Sequence, residues 1–172
     1  LQVVSRMQHE HKMTQLVNDF MEYVTFSNKM ACQYDTGYSQ ACGASNSECT
    51  GRYDIFLYKN NSYPQNWSFG MTSSTPWFYG VLNTKYKSTI KISDEIVNQI
   101  NLYAYNLDDE SCINLAILDF GGLRVSGVTI NGTPPLAGQK HKQLTINQAS
   151  GYCNKGEQTN KNYVKFIFSG CN

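Results

Sequence analysis

Residues 1–31 contain neither Gly nor Pro, and within them Met13, Leu16, Val17, Phe20 and Val24 recur at three- and four-residue intervals. That repeat predicts a helix with one apolar stripe. Val3, Val4 and Met7 continue the apolar pattern towards the start, interrupted by the polar stretch QHEHK. Such a helix runs roughly 45 Å at 1.5 Å per residue. A small sheet cannot cover all of it, so an overhang or a partner helix is expected.

Residues 32–86 lose this periodicity. CQYDTGYSQACGASNSECTG reads as loop, RYDIFLYKN as a short strand, and NNSYPQNWSFGMTSSTPWFYG as a second irregular loop studded with aromatics. Loops of this length serve as binding surfaces or as covers stapled by cysteines. From residue 87 a period of two takes over. STIKIS and QINLYAYNL both alternate, the latter with Ile100, Leu102, Ala104 and Asn106 on one face. DDESCINLAIL predicts a short helix with Asp108 as N-cap, acids in the first turn, and Gly121–Gly122 as its stop. LRVSGVTING reads as a strand ending in a turn and TINQASGYC as a short helix. NYVKFIFSGC reads as a terminal strand with Val164, Phe166 and Phe168 on one face. The sum is one α+β domain over 1–172: a long helix (1–31), a cysteine- and aromatic-rich loop region (32–86), and an antiparallel sheet with small helices (87–172).

Composition narrows the function classes. The net charge is +1, and no clustered Lys/Arg run supplies the field that nucleic-acid binding needs. No stretch of eighteen apolar residues occurs, so the chain as given spans no membrane as a helix. It opens in mid-pattern at LQVVSRMQ without Met, and an upstream segment removed by processing or by design is expected. Six cysteines, Cys32, Cys42, Cys49, Cys112, Cys153 and Cys171, form an even set with no CxxC. That favours disulfides over zinc, hence the periplasm, cell surface or medium, with the connectivity left open.

Catalytic patterns are thin. His9 and His11 sit two residues apart on a predicted helix, about 200° from each other, and cannot share an ion. His141 stands alone in a polar loop. DFGG at Asp119–Gly122 has no nucleotide loop beside it, and Asp108–Glu110 are explained by the helix start. No cofactor is expected. Asn60, Asn66 and Asn131 head glycosylation triplets. In the aromatic loop, Trp67, Trp77 and Tyr79 are candidates for a ligand or subunit contact, with burial in the core as the commoner fate of such side chains.

Two cysteine segments carry a family resemblance. NLDDESCINLAILDFGGLRVSGVTINGT resembles the disulfide-loop region of type IVb pilins, where an acid-x-x-Cys-x-x-Leu helix leads to a strand ending in a Val/Ile-Asn-Gly turn. LTINQASGYCNKGEQTNKNYVKFIF resembles its closing half, a short helix reaching the second Cys and then a last strand. The match covers roughly residues 100–170, and residues 1–31 fit in general character.

The resemblance implies a type IV pilin fold, a long N-terminal helix packed on an antiparallel sheet and stapled by Cys112–Cys153. The other four cysteines would pair among themselves. It implies a missing upstream half-helix as the membrane anchor, and a non-enzymatic subunit of a pilus reached through inner membrane and periplasm. Its partners would be other pilin subunits, the assembly machinery, and a host receptor or glycan. Four extra cysteines, the long 32–80 insertion and few alanines beside twelve tyrosines lean towards a minor pilin. The rival readings are a type II secretion pseudopilin and a secreted carbohydrate-binding adhesin domain.

Overall fold

The computed structural model describes residues 2–41, 61–65, 67–72, 75–96, 99–123, 125–132, 144–155 and 161–168, with backbone alone at 33–41, 69–72, 75–77, 93–96 and 99. Helix α1 (Gln2–Ala41) leads to strands β1 (Ser68–Thr72), β2 (Thr75–Leu82), β3 (Ser88–Ile96) and β4 (Gln99–Leu107). Helix α2 (Asp109–Ala116), strand β5 (Gly127–Ile130), helix α3 (Ile146–Tyr152) and strand β6 (Asn162–Phe168) follow. The six strands form one antiparallel sheet in the order β1-β2-β3-β4-β6-β5. The fold is α+β, one long helix laid over β4, β2 and β6.

The alternating strands send one face towards α1. Phe78, Ile92, Leu102 and Phe166 on that face are fully buried, and so are Phe20 and Val24 of the helix. Phe20 meets Phe166 at 5.3 Å between ring centroids. Of the predicted stripe, Leu16, Phe20 and Val24 are buried, while Met13 and Val17 lie at its half-buried margins.

Several expectations need correction. The helix runs on from residue 31 to Ala41, through Gly37. One helical Gly costs only about 1 kcal/mol against Ala, which a helix already anchored by its packed stripe absorbs. Val3, Val4 and Met7 do not extend the buried stripe, being 71%, 58% and 64% exposed. At 3.6 residues per turn they fall roughly 100–160° from the centre of the face that carries Leu16, Phe20 and Val24. The aromatic segment read as loop contains the β1–β2 hairpin, with Pro76 tolerated opposite Met71 next to the turn.

In β4, Asn106 leaves the inner face. It adopts φ +62° at a β-bulge between Ala104 and Leu107, and Leu107 takes the buried place. Helix α2 stops at Ala116 rather than at Gly121–Gly122. Asp108 occupies the N-cap position without a side-chain capping bond. The predicted strand RYDIFLYKN lies outside the described residues.

Candidate functional site

The best-organised polar region surrounds one disulfide. Cys112 on α2 and Cys153 just beyond α3 are bonded, with Cα atoms 5.8 Å apart and a separation of 41 in sequence. Both are buried. Each helix is too short to persist alone, and each presents its cysteine where local chemistry fixes it. Helix α3 starts on a capping box, in which Thr145 accepts from the Gln148 main chain and the Gln148 side chain accepts from the Thr145 N–H. Asp109 and Glu110 fill the first turn of α2.

Two asparagines tie these helices to the sheet. Strand β5 ends at Asn131–Gly132, both at positive φ (52° and 76°), as an Asn-Gly turn requires. The Asn131 amide donates to the Tyr152 carbonyl and to Asn162 Oδ1, each at 2.8 Å, and its oxygen accepts from the Tyr163 N–H. Asn162, fully buried, donates to Asp109 Oδ1 at 2.7 Å and to the Leu107 carbonyl. The turn, both short helices and the last strand therefore form one hydrogen-bonded unit around the staple. The Asn-Gly pair was legible as a turn, but nothing in the sequence marked Asn162.

A second cluster locks α1 to the hairpin. Trp67 is 6% exposed, stacked on Tyr23 at 4.6 Å and edge-on to Phe26 at 4.7 Å. Its ring thus faces the helix, in the core rather than at a ligand surface. The Tyr23 ring lies against Gly80 of β2, where an added Cβ would fall on the phenol. Burial pushes the Tyr23 phenol up, while a hydrogen bond from the Val81 main chain works the other way. Tyr79 points from the opposite sheet face and is partly exposed, and burial raises its phenol as well. Trp77 is paired with Gly70 through the backbone of β2, and its side chain lies outside those described.

The outward side of α1 carries two apolar areas. Val3, Val4 and Met7 form the first. The second, roughly 27 Å along the helix axis on the same side, is an open depression of 470 Å³ lined by Asn18, Met21, Glu22, Thr25, Phe26, Lys29 and Pro64. Between them, on the sheet side, His9 Nε2 lies 2.6 Å from Glu110 Oε1, joining the start of α1 to α2.

The remaining candidates have local roles. His9 contacts Glu110 and His11 is exposed, and among the described residues no three potential metal ligands gather. Asp119 accepts from the Gly121 N–H, a turn contact. Asn131 has its amide committed on both atoms. Cys32 is disulfide-bonded, and no cysteine among the described residues is free. Cys42, Cys49, Cys171, His141, Asn60 and Asn66 lie outside the described residues. Among the described residues no helix is long and apolar enough to cross a membrane.

No family model matches the chain, and no curated protein matches it in sequence. Among solved structures, a type IVb pilin from Salmonella typhi is similar at 13% identity, over 84% of this chain and 97% of that one, with a TM-score of 0.49.

Proposed function

We propose that this chain is a structural subunit of a bacterial type IV pilus, and a minor pilin rather than the major one. Its work is assembly and pilus-mediated adhesion or aggregation, not catalysis. The observation that carries the reading is the Cys112–Cys153 bond. It closes the two segments whose pattern resembles type IVb pilins, and it does so between the two short helices that the resemblance implies.

The helix supplies the mechanism. One side of α1 is committed to the sheet through Leu16, Phe20 and Val24. The other presents Val3, Val4 and Met7, and then the Met21–Phe26–Pro64 depression, to neighbouring subunits. Large exposed apolar side chains along one helix face are a liability unless a partner covers them. The protein would reach the cell surface through the inner membrane and periplasm, where its disulfides form. The rival adhesin reading relied on the aromatic loop, and the burial of Trp67 against Tyr23 and Phe26 weighs against it.

The test is Val3→Glu with Met7→Glu, made in cells that produce the protein. Incorporation into sheared filaments should fall below detection. The stability of the purified chain should stay within about 0.5 kcal/mol, as for exposed positions generally. Filaments carrying the double variant at the wild-type level would refute the assembly role of this face.

A further inference from the structure

The sheet face turned away from α1 is built from tyrosine and lysine in alternation. Cross-strand register places Tyr79 of β2 beside Lys91 of β3, Lys91 beside Tyr103 of β4, and Tyr103 beside Lys165 of β6. All four are partly exposed. The ammonium groups of Lys91 and Lys165 approach the Tyr103 ring from either side, each 5.5 Å from its centroid. A second set repeats the arrangement at the end of the strands, where Lys161 and Lys85 lie 4.2 and 5.2 Å from the Tyr86 centroid. Lys161 is four residues before Lys165, roughly 13 Å along β6. Tyrosines fill the interval: Tyr105 stacks on Tyr103 at 5.4 Å and 5°, and meets Tyr163 at 5.7 Å.

We propose that this face binds an anionic polysaccharide whose carboxylates are separated by uncharged sugars. Paired ammonium groups at each end of the strip complement two carboxylates, and the tyrosines between them, stacked on one another, present ring edges and hydroxyls to the neutral ring. Aromatic residues that are apolar on one side and hydrogen-bonding at the tip suit such a mixed surface. A nucleic-acid strand fits less well. It carries a phosphate at every nucleotide, so the tyrosine interval would leave charge uncompensated. The inference does not depend on the filament reading, since it uses only this face of the sheet.

The test measures binding of hyaluronan oligosaccharides, in which a uronate alternates with an uncharged sugar, to the 172-residue chain at fixed ionic strength. Polyglutamate and oligothymidylate serve as polyanions without that spacing of sugar and charge. The wild type should bind hyaluronan in preference to both. Lys91→Gln with Lys165→Gln should weaken binding about tenfold, as two exposed charge contacts would. Tyr105→Ala should weaken it about fivefold and Tyr105→Phe about threefold through the lost hydroxyl contact, and Lys12→Gln, exposed on α1, should change nothing. Circular dichroism of each variant separates lost binding from lost folding. Absent hyaluronan binding, binding untouched by the folded lysine variant, or equal affinity for polyglutamate would overturn the proposal. Tighter oligothymidylate binding would overturn it in favour of nucleic acid.

Discussion

Phe20 and Gly80 hold the helix at its depth on the sheet, by opposite means. Phe20 fills the centre of the core against Phe166, and truncating it to Ala should cost about 3–5 kcal/mol of unfolding free energy, read from urea denaturation. Gly80 is needed because it is empty: any side chain there meets the Tyr23 ring, itself pinned by Trp67. Gly80→Ala should therefore destabilise by about 1–3 kcal/mol through overpacking, and the Gly80→Ala/Tyr23→Leu pair should recover part of that loss. Tyr23 also sets a pH response. Its phenol titrates above the ordinary value because burial disfavours the anion. The folded state then keeps a proton that the unfolded chain gives up, so the stabilisation is complete below about pH 10 and is lost as pH rises through the higher folded value. Melting temperature should fall as pH rises above about 10, and less steeply in Tyr23→Phe.

At the scale of elements, the periodic ones were legible and the locally defined ones were not. The long helix, β3, β4 and β6 followed from spacing, because each buries one face and its sequence shows it, and α2 was read from the acids at its start. The β1–β2 hairpin was missed. Pro76, Gly70 and a run of Ser and Thr look like loop, and its pairing is set by register with β3 rather than by its own pattern. Asn106 was misassigned because a bulge breaks alternation without a marker in composition. Val3 and Met7 misled because apolar residues were counted without following their angle around the helix. The disulfide pair was legible through family resemblance only, since spacing alone leaves the pairings of six cysteines open.

What the bond does is an element-scale question. Replacing Cys112 and Cys153 with Ala should lower stability by about 4 kcal/mol, the loop-entropy value for a closure of this length. Amide exchange should accelerate first in α2 and α3, which are too short to persist unaided. Uniform acceleration across β2 and β3 would mean that the bond supports the whole sheet instead. Asn131→Ala, which removes three hydrogen bonds around the turn and strands the Tyr163 N–H, should cost about 1–3 kcal/mol, and nearly as much in the cysteine-free background if the two supports are independent.

In the whole molecule, a helix with one committed side and one exposed side is joined to a sheet whose outer face is patterned with tyrosine and lysine. The first side makes the fold; in the proposed reading the second meets neighbouring subunits and the sheet face takes a ligand. The role proposed for the outward side of α1 requires that the protein belong to a filament. Immunogold labelling of intact cells that produce it, with antibody raised against the purified 172-residue chain, asks this directly. Gold on extracellular filaments, sparse or at the tips as befits a minor pilin, is the expected result. Label dispersed over the cell body or recovered only in the medium, with filaments bare, would contradict the account.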